Sequence, residues 1–277
     1  MEGIIIKNES NNYTVRTPKG INICKPRGKF RLDKITPLVG DHVSIDDINN
    51  YLLDIKQRKN SLIRPQIANV DIAIIVTSVK EPNFDSNLLD KLLTIISYNN
   101  ITPVICLTKL DLLNVEEKEY ITKIISYYQS IGYDVVTNDD IKELKKIIEG
   151  KIVVFAGQSG AGKSSLLNKL DKTLSLETNK ISKALGRGKH TTRCVTLYNI
   201  DNALVADTPG FSSVDFRGMT KLDIRDNMKE MFDNLDKCKY RDCMHIKEDD
   251  CEVKRLLESN KILESRYNNY KSFIGGK

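Results

Sequence analysis

One octapeptide narrows the folds open to this chain more than any other feature. Gly157-Gln158-Ser159-Gly160-Ala161-Gly162-Lys163-Ser164 follows the apolar run Lys151-Ile152-Val153-Val154-Phe155-Ala156 and precedes Ser165-Leu166-Leu167-Asn168-Lys169-Leu170, which suits a helix. The pattern G-x-x-x-x-G-K-[ST] between a buried strand and a helix is a phosphate loop. Its glycines let backbone N–H groups turn inward, and the helix N-terminus adds its positive dipole end. Lys163 reaches β and γ phosphates, and Ser164 offers a hydroxyl to Mg²⁺.

The surrounding texture fits such a loop. Asp71 to Val76 reads as a buried strand, Asn87 to Tyr98 as a helix, Ile101 to Leu107 as a strand and Glu116 to Ser130 as a second helix. Tyr133 to Val136 and a short helix over Ile141 to Ile148 lead into the strand before the loop. Strands alternating with helices predict a parallel sheet covered on both faces. Residues 1 to 65 differ: short β-rich runs at Gly3 to Lys7, Tyr13 to Thr17 and His42 to Ile45, punctuated by turn formers, predict a small barrel or sandwich.

Charge separates the same regions. Residues 1 to 66 hold 12 basic and 7 acidic side chains, which accounts for most of the formal +6 of the 277-residue chain. A basic barrel suits an anionic polymer. Within it, Lys25-Pro26-Arg27-Gly28-Lys29-Phe30-Arg31 reads as a basic loop that can hold a phosphate backbone and offer the Phe30 ring for stacking. No apolar run approaches the roughly 20 residues of a membrane span, so no membrane partner is expected. The start, Met1-Glu2-Gly3-Ile4-Ile5-Ile6-Lys7, lacks the layout of a secretory signal. A cytoplasmic protein is therefore expected.

A phosphate loop does not choose the base. Thr108-Lys109-Leu110-Asp111 stands at the end of a strand, where an open α/β sheet presents ligand-binding residues. A carboxylate at Asp111 can accept from both the ring N–H and the exocyclic amino group of guanine, a pair of donors that adenine lacks. Lys109 can lay its aliphatic stem across the base. Asp207-Thr208-Pro209-Gly210, after the apolar run Ala203 to Ala206, adds an Asp for water-mediated magnesium binding and a glycine N–H for the γ-phosphate. Between the two phosphate motifs lies a basic, glycine-punctuated stretch, Lys183 to Arg193, of the kind a nucleotide orders.

GTPases of the Ras type run phosphate loop, threonine loop, D-x-x-G, then N-K-x-D. Here T-K-L-D comes first, so the order is circularly permuted. With Thr108 to Asp111, Gly157 to Ser165, Gly188-Lys189-His190-Thr191-Thr192, Asp207-Thr208-Pro209-Gly210-Phe211 and Cys238-x4-Cys243-x-His245-x5-Cys251, nearly the whole chain resembles the ribosome small-subunit-dependent GTPase A family. The resemblance implies a multidomain α/β protein. Residues 1–66 would be an OB-fold RNA-binding barrel, 67–215 a circularly permuted P-loop GTPase domain, and 216–277 a helical zinc-binding domain.

It further implies GTP and GDP as substrate and product, Mg²⁺, the small ribosomal subunit and its rRNA as partners, a role late in subunit maturation, and a monomeric chain. The nucleotide residues carried over are Thr108, Lys109, Leu110, Asp111, Gly157, Gln158, Ser159, Gly160, Ala161, Gly162, Lys163, Ser164, Ser165, Thr192, Asp207 and Gly210. Phe211 stands where Ras-like enzymes place the water-orienting glutamine. In similar GTPases a histidine of the threonine loop replaces it, which makes His190 the catalytic candidate. Thr191 or Thr192 completes the magnesium shell. Thr108 departs from the usual asparagine, and Val136-Thr137-Asn138 replaces the expected Ser-Ala guanine loop.

Cys238, Cys243, His245 and Cys251 are four soft ligands at short spacing, which fit a closed, structural tetrahedral Zn²⁺ site. Lys237, Lys239, Arg241 and Lys247 interleave with them and can present cations to RNA. Cys24, Cys106 and Cys194 fall in strand-like runs as buried thiols, and a helix is predicted to start at Val253 and continue toward Tyr270. Two other functions share these motifs: an RNA-binding placeholder whose hydrolysis serves only recycling, and a phosphate-loop ATPase or kinase.

Overall fold

The structure, a computed structural model, describes residues 1–63, 65–171, 195–207 and 215–275. The chain divides into two compact units, one of Met1–Ala73, Ile141–Phe155 and Lys163–Phe211, the other of Ile74–Asp140, Ala156–Gly162 and Ser212–Lys277. In chain order the elements begin β1 (Glu2–Glu9), β2 (Asn12–Thr17), β3 (Gly20–Pro26), α1 (Gly28–Leu32), β4 (His42–Asp46), β5 (Tyr51–Ile55), β6 (Ser61–Ile63), β7 (Gln66–Ala68) and β8 (Ile72–Ser78). There follow α2 (Ser86–Tyr98), β9 (Thr102–Thr108), α3 (Val115–Ser130), β10 (Asp134–Thr137), α4 (Ile141–Ile148), β11 (Ile152–Ala156), α5 (Lys163–Leu170), β12 (Thr196–Ile200) and β13 (Ala203–Asp207). Four helices end the chain: α6 (Lys221–Asp226), α7 (Lys229–Asp233), α8 (Glu252–Glu258) and α9 (Glu264–Gly275). Among the described residues no helix is long and apolar enough to cross a membrane.

In the first unit the short strands close on themselves. β1 pairs antiparallel with both β2 and β4, β2 with β3 and β4 with β5, while β3 runs parallel to β5. The cyclic order β1-β2-β3-β5-β4 is that of an OB-type barrel. Alternate side chains fill it, among them Ile5, Val15, Val43, Ile45, Leu52 and the predicted buried thiol Cys24. Asp41, also fully buried, accepts the Leu38 N–H at 2.7 Å and the Arg58 Nε and Nη2 at 2.7 and 2.8 Å. Its charge is thereby paired, as burial requires.

The expected Lys25 to Arg31 loop needs correcting. Lys25 and Pro26 finish β3, Gly28–Leu32 wind into one helical turn, and Phe30 is only 5% exposed. As the one aromatic in a charged segment, Phe30 is the residue that burial favours, so its ring is withheld from stacking.

Beyond the barrel, β11 runs parallel to β13, with Ile152 beside Leu204 and Val153 beside Val205. β12 and β13 form an antiparallel hairpin registered from Thr196 opposite Asp207 to Ile200 opposite Ala203. Sequence reasoning missed β12. The signal was the Asp201-Asn202 pair after alternating Leu197-Tyr198-Asn199-Ile200, since Asp201 takes φ 51° and a two-residue hairpin turn needs positive φ. The far edge of β12 takes barrel strand β1, Lys7 opposite Thr196, and Arg16 Nη1 donates to Asn199 Oδ1 at 2.7 Å.

In the second unit β10 lies parallel to β9, from Asp134 beside Val104 to Thr137 beside Leu107. Asp85 caps α2 by accepting the Leu88 N–H at 3.0 Å, and α3 opens on a capping box of Asn114 and Glu117. α2 buries Leu89, Leu92, Leu93 and Ile96, each contributing roughly 1.5–3 kcal/mol. A smaller apolar cluster of Ile224, Met228, Met231, Val253, Tyr267, Tyr270 and Ile274 holds the C-terminal helices. The single helix predicted from Val253 to Tyr270 is two helices, α8 and α9. Asn260, at φ 55°, turns the chain after Ser259, and its neighbour Lys261 bonds back to the Leu256 carbonyl at 2.8 Å, closing α8 in the left-handed manner that asparagine tolerates.

α9 is joined to α2, α3 and α7 by a buried charge cluster centred on Arg266, which has no solvent exposure. Its Nη1 donates to Asp90 Oδ1 at 2.5 Å, and its Nε and Nη2 to Glu230 at 2.8 and 3.0 Å. Asn269 and Tyr128 donate to Asp90 at 2.7 and 2.5 Å, and Tyr127 donates to Glu230. Burial opposes the Arg266 charge, but the two carboxylates outweigh it and raise its pKa. The carboxylates shift in opposite directions. Burial dominates at Asp90 and raises it, whereas Glu230, equally buried, is held below its ordinary value by the guanidinium. Glu230 takes two prongs of that fork and Asp90 one.

Arg266→Met should therefore destabilise the protein by about 3–5 kcal/mol, because it strands buried carboxylates. Adding Asp90→Asn and Glu230→Gln to that variant should recover most of the loss. Denaturant unfolding of the three proteins measures both effects.

Candidate nucleotide site and metal cluster

The predicted base-reading and phosphate-binding segments meet in the second unit. β9 ends on Thr108, whose buried hydroxyl donates to the Ala161 carbonyl at 2.7 Å. Gly157, directly after β11, takes φ 122°, and a Cβ there would lie 2.1 Å from the Val76 carbonyl of β8. Only glycine satisfies both the conformation and the space. Gly160 and Gly162 follow at φ 79° and 96°. A Cβ on Gly162 would touch the Thr108 methyl at 3.8 Å. Gln158 is half-buried, Ser159 exposed and Ala161 buried.

Lys109 takes φ 63°, and its ammonium donates to the Glu81 carbonyl. Leu110 and Asp111 sit in a 3₁₀ turn, Leu110–Leu112, with Asp111 exposed. A carboxylate left at the surface is available to donors on a ligand.

The unit boundary falls inside the phosphate motif, so Lys163, Ser164 and Ser165 belong to the first unit, in the first turn of α5. Partial burial lowers the Lys163 pKa from its ordinary value. Asp207 is the last residue of β13, opposite Thr196. Because β13 and β11 are parallel, both strands leave the sheet at the same edge. His190, Thr191, Thr192 and Gly210 lie outside the described residues, as do Cys194 and the side chain of Asp207.

Cys238, Cys243, His245 and Cys251 come together with all ligand atoms within 4.8 Å of one another. Cys238 Sγ lies 4.0 Å from Cys251 Sγ and 3.6 Å from His245 Nδ1, and His245 Nδ1 lies 3.3 Å from Cys251 Sγ. A tetrahedral zinc with bonds near 2.3 Å to sulfur and 2.0–2.1 Å to nitrogen places its ligand atoms roughly 3.6–3.8 Å apart, so the donors fit. His245 Nε2–H donates to the Met231 carbonyl at 3.0 Å, which leaves the Nδ1 lone pair facing the sulfurs. Burial lowers the His245 pKa, keeping the imidazole in its ligating neutral form, and pushes the Cys243 thiol up to about 12. Such a thiol ionises readily only against a cation.

The knuckle is braced by its neighbours. The Glu248 carboxylate accepts the N–H groups of Met244, Ile246 and Lys247 at 2.8, 2.8 and 3.0 Å. Tyr267 and Tyr270 donate to the His245 and Met244 carbonyls at 2.6 and 2.8 Å.

Thr108→Val keeps the shape of the side chain and removes one hydrogen bond, so GDP binding, followed by fluorescence titration, should weaken about 10-fold. Cys243→Ser should lose the bound metal, which elemental analysis of the dialysed protein should find at about one zinc per unaltered chain. The variant should also melt at a lower temperature.

Residues 55–217 match the family model described as RsgA GTPase, and residues 2–51 match the RsgA N-terminal domain. A small ribosomal subunit biogenesis GTPase RsgA of Bacillus cereus is 48% identical over 281 residues, covering 99% of this chain and 96% of the relative. Its counterpart in Enterococcus faecalis is 45% identical over 280 residues, covering 99% and 94%. Among solved structures, YloQ, described as a circularly permuted GTPase, superimposes with a TM-score of 0.85 at 38% identity, covering 99% of this chain and 93% of that one. YjeQ from Thermotoga maritima does so with a TM-score of 0.82 at 33% identity, covering 100% and 99%. Likeness of this extent from end to end is kinship, and it makes the chain a member of the RsgA GTPase family and a GTP hydrolase.

Proposed function

We propose that this GTPase binds the small ribosomal subunit through its rRNA, acts late in the maturation of that subunit, and hydrolyses GTP to GDP and phosphate with release. The observation that carries the proposal is the 48% identity over 99% of the chain to a relative named for small ribosomal subunit biogenesis. The protein works in the cytoplasm as a single copy. Its parts are an RNA-binding barrel (1–66), a permuted GTPase domain (67–215) and a zinc-binding domain (216–277). The surplus of 12 basic over 7 acidic side chains in the first part suits a phosphate backbone.

In this reading Asp111 accepts the guanine N–H pair, Lys109 lies along the base, and Thr108 and Leu110 complete that wall. Backbone N–H groups of Gly157 to Gly162 surround the phosphates, with Lys163, Ser164 and Ser165 at the helix start. Ser164, Thr192 and, through water, Asp207 would hold Mg²⁺, which supplies positive charge to the β and γ oxygens. The Gly210 N–H meets the γ-phosphate. His190 orients the water that attacks phosphorus, and the β–γ bridging oxygen departs with the bond electrons on GDP. Cys238, Cys243, His245 and Cys251 would hold a structural Zn²⁺. Support for the phosphate assignment comes from the left-handed glycines and from Thr108 on the Ala161 carbonyl.

GTP turnover by the purified protein, measured alone, with large subunits and with small subunits, tests the reading. Small subunits should raise it at least about 10-fold, as a completing partner does for other GTPases. Turnover indifferent to small subunits sinks the assignment.

A further inference from the structure

The bend after β8 is gripped from three sides, and none of the nucleotide motifs explains why. Val79 N–H donates to the Thr108 carbonyl at 3.2 Å. Ser78, 1% exposed, donates its hydroxyl to the Lys80 carbonyl at 2.6 Å. The Lys80 ammonium bonds both oxygens of Glu117 at 2.9 and 2.8 Å. Glu117 is itself fixed at the start of α3: it accepts the Asn114 N–H at 2.9 Å and returns its own N–H to Asn114 Oδ1 at 2.9 Å. The hydrogen bond from Lys80 holds the Glu117 carboxyl below its ordinary pKa.

Beyond these anchors the bend offers two groups to the candidate site. The carbonyl of Glu81, a residue at φ 54°, receives the Lys109 ammonium. The Pro82 ring backs the phosphate loop, its Cδ lying 3.7 Å from where a Gly160 Cβ would be. A lysine stem is flexible, and holding its tip before the ligand arrives removes an ordering cost from binding.

We infer that Lys80 and Glu117 are positioning residues for guanine-nucleotide binding: their ion pair holds the 79–82 bend so that the Glu81 carbonyl fixes Lys109 across the base. The inference rests on the assignment of Lys109 to the base made above. A half-exposed ion pair adds little to folding, so its loss is read in binding and not in stability.

GDP titrations and thermal melts of Lys80→Met, Lys80→Arg, Glu117→Gln, Lys109→Ala and the Lys80→Met/Lys109→Ala double variant test this. Lys80→Met and Glu117→Gln should each weaken GDP binding on the order of 10-fold with little change in melting. Lys80→Arg should bind GDP as the unaltered protein does. The double variant should bind no more weakly than Lys109→Ala alone, because the pair acts through Lys109, whereas a merely structural role would add its loss. Unchanged GDP affinity in Lys80→Met, or additive losses in the double variant, would overturn the inference and leave the pair as a cap on α3. Unchanged affinity in Lys109→Ala would overturn the base assignment itself, and the inference with it; that outcome is told apart because it is read in a different variant.

Discussion

The phosphate loop is held by contacts that it does not make with itself. At Gly157 it runs so close to the Val76 carbonyl that a single methyl group has no room, and at Ala161 its carbonyl is taken by the buried Thr108 hydroxyl. Together these contacts bind the start of the loop to β8 and its far side to β9. A loop rich in glycine has many conformations to lose, and here the close approach to Val76 of β8 and the hydrogen bond from the Thr108 hydroxyl of β9 select one. The ends of β8 and β9 are thus fixed relative to the loop before any nucleotide arrives, and Lys109 and Asp111 inherit that placement because they follow Thr108 directly.

The C-terminal helices solve a different problem. Their apolar cluster is small, and a small core supplies little stability unaided. Two polar devices supplement it. One is the Cys₃His knuckle, braced by Glu248, Tyr267 and Tyr270. The other is Arg266, which draws Asp90 of α2 and Glu230 of α7 onto α9. The Arg266 cluster is demanding, since removing one member strands the others in a medium where an unpaired charge is costly. It is also specific, because a guanidinium fork accepts carboxylates only in fixed directions. α9 is therefore placed against α2 by geometry as well as by apolar area.

Motifs that depend on neighbours in sequence were readable in advance. The strand, glycine loop and helix around Gly157, the strand ending in Thr108 to Asp111, and the spacing of Cys238, Cys243, His245 and Cys251 all announce local chemistry. Interactions made by residues far apart in the chain carried no such signal. Arg266 lies 176 positions from Asp90, and nothing in either local sequence marks them as partners. Phe30 misled for a related reason. A ring among cations looks like a stacking platform until the fold buries it. β12 and the break at Asn260 were legible in principle, from a two-residue turn and from an asparagine that tolerates left-handed φ, but periodicity alone passes over single positive-φ residues.

By itself the sequence determined the permuted order of the motifs, the barrel-forming rhythm of the first residues and the short spacing of the Cys₃His set that could hold a metal, because each is a matter of residue type at short spacing. Tertiary structure alone decided that the Thr108 hydroxyl closes on the phosphate loop, that the bend after β8 serves Lys109, and that α9 is locked to α2 through Arg266. Those outcomes rest on distances between segments that only packing brings together, and a hydrogen bond or buried ion pair is set by such distances and directions rather than by composition.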